Sequence, residues 1–162
     1  MNTASPQVLF VTGSRSDFAT IRQIFLRLRD QKNIHPHLFI TGPHTVKITG
    51  ETYREIVKAG IPITSMHKIT GKDLAYDFST ELQAVHRCLQ KKRYAAVILT
   101  GDRPEMLAAA MAALFANIPV IHIHGGDVTF GMIDDGIRHA ITKIASIHFP
   151  ATALSASRIR RM

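Results

Sequence analysis

Short apolar, β-rich runs alternate with longer amphipathic segments from one end of this chain to the other, and that regularity constrains its fold more than any other feature. The runs fall at residues 7–12, 35–40, 61–66, 95–100, 118–124 and 147–149. Between them, helical spacing predicts helices over 18–31, over 53–59, from an N-cap at Ser79 to Lys92, over 104–116 and over 133–144, with a final helical stretch after residue 149. Ile21, Ile24, Phe25 and Leu28, three and four apart, share one helix face. The run 95–100, AAVILT, is apolar at nearly every position, as a strand covered on both faces must be. About six alternations of this kind predict an α/β fold: a doubly wound, Rossmann-like parallel sheet. With 162 residues, the chain reads as a single domain, 1–162, that buries a core without disulfides or metals.

Sheets of this type bind ligands outside the carboxyl ends of their strands. Four polar clusters follow four of the predicted strands, at 13–17, 42–44, 101–105 and 122–135. Gly13, Ser14, Arg15 and Ser16 form a glycine turn opening a helix, which offers N–H groups and a positive dipole end to an anion, with Arg15 as a forked donor. The simpler reading makes Ser16 the N-cap and Asp17 a first-turn acid. Neither G-x-G-x-x-G nor a G-K-[ST] loop is present. His44 sits in a long loop, 41–52, where a solvated histidine is the plain reading and a ligand contact the functional one. Asp102 and Glu105 flank Pro104 in the pattern of a capping box, which accounts for both acids but not for Arg103 on the ligand edge.

The densest cluster follows the strand at 118–124. His122 and His124 alternate along it and so point to one face. With Asp127 or Asp134 they could ligate a metal, but hydrogen-bonded core histidines are commoner and no metal is expected. Gly125 and Gly126 allow a tight turn or a close approach of backbone to ligand. Helical spacing sets Asp134 beside Arg138, and Asp135 beside both Arg138 and His139. Arg138 can complement one first-turn acid; two adjacent acids repel, which marks one of them as an acid or base.

The net charge of +8 raises the question of nucleic acid. Only Lys91, Lys92, Arg93 and the terminal Arg158, Arg160, Arg161 cluster, each near a predicted helix end, and the 7% of aromatics form no base-stacking platform. Nucleic-acid binding is therefore not expected, and an anionic small substrate suits the excess charge. No apolar run approaches the ~18 residues that span a bilayer, and the first residues lack signal-peptide order, so neither membrane insertion nor secretion is expected. The single Cys88 falls in the apolar helical set Leu82, Val85, Cys88 and Leu89 and reads as a small buried hydrophobe in a cytoplasmic protein.

With these residues in view, the chain resembles the hydrolysing UDP-N-acetylglucosamine 2-epimerases, and more closely the branch that makes N-acetylmannosamine for sialic and related nonulosonic acids. VTGSRSDF at 11–18, TGPHTVKITGETYREI at 41–56, the long segment from LTGDRPEM to ASIHF at 99–149, and the tail ATALSASRIRRM carry the resemblance. It implies the N-terminal half of a GT-B fold, whose C-terminal, UDP-binding domain is absent from this chain, with the substrate in the cleft between the two. It implies no cofactor, a UDP-sugar substrate, and elimination of UDP followed by hydration. By position in the motifs, Asp102, Asp127, Asp134, Asp135 and His124 are the catalytic candidates. Gly13, Arg15, Asp17, His44, Arg103, Gly125, Gly126, Arg138 and His139 are the substrate-binding or orienting ones. Asp127 stands where the family pattern leads one to expect a Glu, and His124 where the wider bacterial epimerases carry one. Activity of this half alone is not expected; a lone sugar- or anion-binding or dimerising module is the alternative.

Overall fold

The computed structural model describes residues 5–31, 33–129 and 133–162. Residues 130–132 of the long motif lie outside the described residues. Six parallel strands form one sheet: β1 (Gln7–Thr12), β2 (His35–Ile40), β3 (Ser65–Met66), β4 (Tyr94–Thr100), β5 (Val120–Ile123) and β6 (Ile147–Phe149). Their order is β3-β2-β1-β4-β5-β6. The helices are α1 (Arg15–Asp30), α2 (Tyr53–Lys58), α3 (Leu74–Leu89), α4 (Pro104–Phe115), α5 (Ile133–Ile144) and α6 (Ala153–Ile159).

The alternation of side chains along the central strands builds two cores. Val8 and Phe10 of β1, Leu38 and Ile40 of β2, and Ala96 and Ile98 of β4 pack under Ile21 and Phe25 of α1 and Ile56 of α2. Leu9, Val11, Phe39, Val97 and Leu99 point the other way, under α3, α4 and α5, where Met106 and the alanines of α4 lie against the sheet. Phe10 and Phe25 meet edge to face, with ring centroids 5.4 Å apart. Cys88 is buried in the second core. Among the described residues no helix is long and apolar enough to cross a membrane.

Several boundaries differ from the sequence expectation, each for a local reason. α1 begins at Arg15 rather than Phe18, because Ser14, not Ser16, is its N-cap and accepts from the Asp17 N–H. α3 begins at Leu74 under the cap Asp73, so Ser79 is interior and donates its hydroxyl to the Tyr76 carbonyl. Residues 74–78, ahead of the start expected at Ser79, are therefore helical. Much of the loop 41–52 is two short 3-10 turns, Gly42–Thr45 and Lys47–Thr49. β3 and β5 are shorter than their apolar runs, and β5 stops at Ile123 because His124 turns to φ +63.

Candidate active site

The crossovers from β1 and β4 leave in opposite directions, so a crevice opens between the carboxyl ends of these neighbouring strands, the switch point of a doubly wound sheet. A cavity of about 250 Å3 lies there, lined by Ser16, Asp17 and Thr20 of α1, Thr100 at the end of β4, Gly101 and Asp102 after it, His124 and Asp127 after β5, and Arg138 of α5. Segments far apart in sequence thus bring three carboxylates, an imidazole and a guanidinium to one rim.

Arg138 organises it. Its side chain, only 7% exposed, forms a charge-assisted bond to Asp102 Oδ2, a longer one to Asp135 Oδ1 at 3.4 Å, and donates to Thr129 Oγ1 at 3.1 Å. Asp135 also accepts from the Thr129 N–H at 3.0 Å, and its other oxygen lies 3.5 Å from His139 Nε2. The expected meetings of Asp135 with Arg138 and His139 are therefore present. The expected Asp134–Arg138 pair is not: the guanidinium reaches across to Asp102 instead, and Asp134 makes no side-chain bond to any described residue.

His122 fixes the turn before Asp102. It is fully buried, and its Nε2–H donates to the Gly101 carbonyl at 2.8 Å, while Nδ1 faces Thr142 Oγ1 at 3.4 Å. Burial lowers its pKa to about 4, so the ring stays neutral and the tautomer is set. The two histidines do not share a face as expected: His122 is a hydrogen-bonded core histidine, and His124, beyond the strand end, is exposed toward the cavity. Gly125, buried beside His122, lies where a Cβ would come within 2.8 Å of Nδ1.

Asp127 faces the cavity but is held from behind by the fully buried Ser155 of α6, whose hydroxyl donates to Oδ1. Gly126, at φ +78, lets α6 come this close; a Cβ there would stand 2.5 Å from the Ser155 carbonyl oxygen. Arg158 donates to the Gly126 carbonyl at 3.2 Å, closing the seat. Asp17, buried, accepts from the Gly13 N–H at 3.2 Å, and burial raises its pKa against the opposing effects of Ser14 and Arg103.

Arg15, His44 and Arg103 stand apart from this cavity. Arg15 is exposed, pairs with Glu55, and lines a neighbouring opening with Pro43 and Thr52. His44 is not a solvated loop residue. It is 1% exposed, with Nε2 3.1 Å from Thr12 Oγ1 and Nδ1 2.6 Å from Thr52 Oγ1, and burial lowers its pKa to about 4. It ties the end of β1 to the loop after β2, together with its own N–H on the Gly13 carbonyl. The capping box is also overturned. Arg103 occupies the cap position without a side-chain cap bond, and Glu105 turns inward to accept from Arg103 Nε and Nη2 at 3.3 and 3.2 Å.

Sequence reasoning missed Glu81, Ser155 and Thr41. Glu81 is 2% exposed, accepts from Thr41 Oγ1 at 2.6 Å, and is held up to about pKa 7 by burial. Its signal was available: it sits four residues before Val85, on the buried stripe of α3. Ser155 had no signal in a stretch of small and basic residues.

A doubly wound parallel sheet with its polar groups gathered at the switch point is the N-terminal, Rossmann-like half of the GT-B architecture. The sequence profile of the UDP-N-acetylglucosamine 2-epimerase family matches residues 26–162, and the chain belongs to that family. It is 35% identical over 161 residues to the UDP-N,N'-diacetylbacillosamine 2-epimerase (hydrolyzing) of Legionella pneumophila, covering 96% of this chain and 42% of that protein. Over 151 residues it is 33% identical to polysialic acid biosynthesis protein P7 of Escherichia coli, covering 90% and 39%. The crystal structure of UDP-GlcNAc 2-epimerase from Neisseria meningitidis, bound to UDP-GlcNAc, shares the fold with a TM-score of 0.86 at 21% identity, over 96% of this chain and 42% of that one. The chain thus spans about two fifths of the length of the relatives it matches.

Proposed function

We propose that this chain supplies the N-terminal half of a hydrolysing UDP-N-acetylglucosamine 2-epimerase, acting in the cytoplasm and completed by a UDP-binding lobe over the carboxyl edge of the sheet. The reaction turns UDP-N-acetylglucosamine and water into N-acetylmannosamine and UDP. The observation that carries the reading is the convergence of Asp102, Asp127, His124 and Arg138 on one cavity at the switch point.

The C2 proton of the sugar is weakly acidic, so its removal needs a base held in place and a cation for the departing diphosphate. Of the three cavity-facing carboxylates, Asp17 is held locally by the Gly13 N–H, whereas Asp102 and Asp127 are held by side chains from other elements, Arg138 behind one and Ser155 behind the other. One removes the C2 proton while UDP leaves C1, giving 2-acetamidoglucal. The pair then delivers water across the double bond, with inversion at C2. Arg15, exposed at the neighbouring opening, is free to swing from Glu55 onto the diphosphate. Asp135 sets Arg138, and Asp134, without a partner among the described residues, faces the incoming lobe. The names of the Legionella and Escherichia coli relatives support a hydrolysing 2-epimerase serving sialic-acid-like sugars.

The test follows UDP release from UDP-N-acetylglucosamine and from UDP-N,N'-diacetylbacillosamine, with this chain alone and mixed with the separately made C-terminal half of a relative. Turnover is expected only in the mixture, falling at least ~100-fold with Asp102→Asn or Asp127→Asn, as loss of a general acid or base does. No UDP from either substrate in the mixture overturns the proposal.

A further inference from the structure

Asp102 is held by a guanidinium, whose hydrogens are fixed in its plane, whereas Asp127 is held by a hydroxyl, whose hydrogen turns freely about the C–O bond. The group that fixes that hydrogen stands at the start of α6. Thr152 is the N-cap of this helix: its Oγ1 accepts from the Ser155 N–H at 3.0 Å and lies 2.7 Å from Ser155 Oγ. Ser155 has one hydroxyl hydrogen, which goes to the Asp127 carboxylate, a group that can only accept. The 2.7 Å contact therefore runs from the Thr152 hydroxyl to Ser155 Oγ. The whole chain points one way, from the Ser155 N–H through the Thr152 and Ser155 hydroxyls to Asp127 Oδ1, and each link polarises the next. Because Ser155 is fully buried behind the rim, Oδ1 is committed to it, and Oδ2, with no bond to any described residue, is the oxygen left to react.

We propose that Thr152 is a positioning residue for the reaction, acting through Ser155: its hydroxyl aims that of Ser155 at Asp127 Oδ1 and so leaves Oδ2 to exchange a proton with sugar or water. The choice of reaction rests on the 2-epimerase reading. No proton travels along the chain; Oδ2 takes one and returns it, while both hydroxyls keep theirs. Capping α6 explains only half of this arrangement. An N-cap needs an acceptor, which Ser, Thr, Asn or Asp supplies equally. Aiming Ser155 needs a donor as well, which an ionised Asp cannot be, and an ionised Asp would instead draw the Ser155 hydrogen to itself. Capping and positioning therefore separate at this one site, which is exposed, so that substitution there leaves the core intact. The helix stays in place through contacts that do not involve Thr152, the Arg158 bond to the Gly126 carbonyl and the close pass of α6 over Gly126.

The experiment compares Thr152→Asp, Thr152→Ser and Ser155→Ala, each in the isotope-labelled chain alone and in the mixture with the C-terminal half of a relative. Thr152→Asp keeps the cap, so its urea midpoint should not fall below the wild type. Its kcat for UDP release should nonetheless drop about fivefold or more with KM unchanged, since it removes no contact with substrate. Thr152→Ser should keep both. Ser155→Ala should lower kcat about tenfold or more, and adding Thr152→Asp to it should cost nothing further, which separates a route through Ser155 from the effect of a new charge. In the chain alone, the Asp127 carboxyl-carbon NMR signal should move in Ser155→Ala and in Thr152→Asp, hold in Thr152→Ser, and move no further in the double variant. Wild-type kcat in Thr152→Asp, an added loss in the Ser155→Ala background, or an Asp127 signal blind to Thr152→Asp overturns the proposal. The NMR arm needs no turnover, so a wild-type mixture that releases no UDP removes the 2-epimerase reading while the Asp127 signal still decides the role of Thr152.

Discussion

Replacing Arg138 with Leu tests the architecture of the rim at its centre. The substitution keeps an aliphatic stem but removes the guanidinium that joins Asp102 after β4 to Asp135 on α5, together with the bond to Thr129. Removing one partner of a buried ion pair costs ~3–5 kcal/mol, because the other charge stays behind. Here the carboxylates left behind are 26% and 28% exposed, so water recovers part of the loss and the lower end, about 3 kcal/mol, applies. For an m-value of about 2–3 kcal/mol/M in urea, the unfolding midpoint falls by about 1–1.5 M. Arg138→Lys keeps the charge but cannot fork between two acids, and should fall between the wild type and Arg138→Leu. In a double-mutant cycle, Asp102→Asn should cost less in the Arg138→Leu background than in the wild type. A loss under about 1 kcal/mol, the worth of an exposed pair, with no coupling in the cycle, would refute the claim that this arginine holds the two elements together.

Burial raises the Glu81 pKa to about 7 from its ordinary 4.5, so the folded state binds the extra proton between these values and stability falls as pH rises through them. In urea unfolding at a series of pH values, wild type minus Glu81→Gln should decline across that window and be flat outside it; a flat difference throughout would contradict the burial. His44 and His122, both held near pKa 4, act with the opposite sign: their neutral, bonded forms favour the folded chain above about pH 6.5, and that stability is lost as pH falls toward 4. Imidazole signals of both residues that stay neutral at pH 5.5 by NMR would check this. Gly126→Ala should lose more thermal stability than Gly50→Ala, since both hold positive φ, a strain of ~1–3 kcal/mol, but only Gly126 lies against α6. Ser155→Ala, which strips a hydrogen bond from the Asp127 carboxylate, should cost ~1.5–3 kcal/mol by urea unfolding.

The order of elements was readable because apolar runs such as 95–100 admit only a strand buried on both faces, and the carboxyl-edge rule then placed the polar clusters. The rim was readable in part. Helical spacing brought Asp135 to Arg138 and His139, but no local rule could say that Arg138 would choose Asp102, 36 residues away, over Asp134. The inward turn of Glu105 was hidden by a plausible capping pattern, because the same residues satisfy a cap in sequence and a tertiary contact in space. His44 read as a loop residue since its two threonine partners, Thr12 and Thr52, come from the strand and loop on either side of it. α3 was placed too late because Asp73, a better cap than Ser79 for the helix as folded, stood inside a stretch with little apolar signal.

The proposed function requires a nucleotide sugar to meet the carboxyl ends of β1, β4 and β5. Amide and side-chain NMR shifts of this chain on titration with UDP-N-acetylglucosamine test that directly. The largest changes should fall at Gly13, Arg15, Asp102, Asp127 and Arg138, and Asp102→Asn should diminish them. Shifts confined to the opposite edge, around Asn117, Ile118 and Ser146, or none at millimolar ligand, would contradict it.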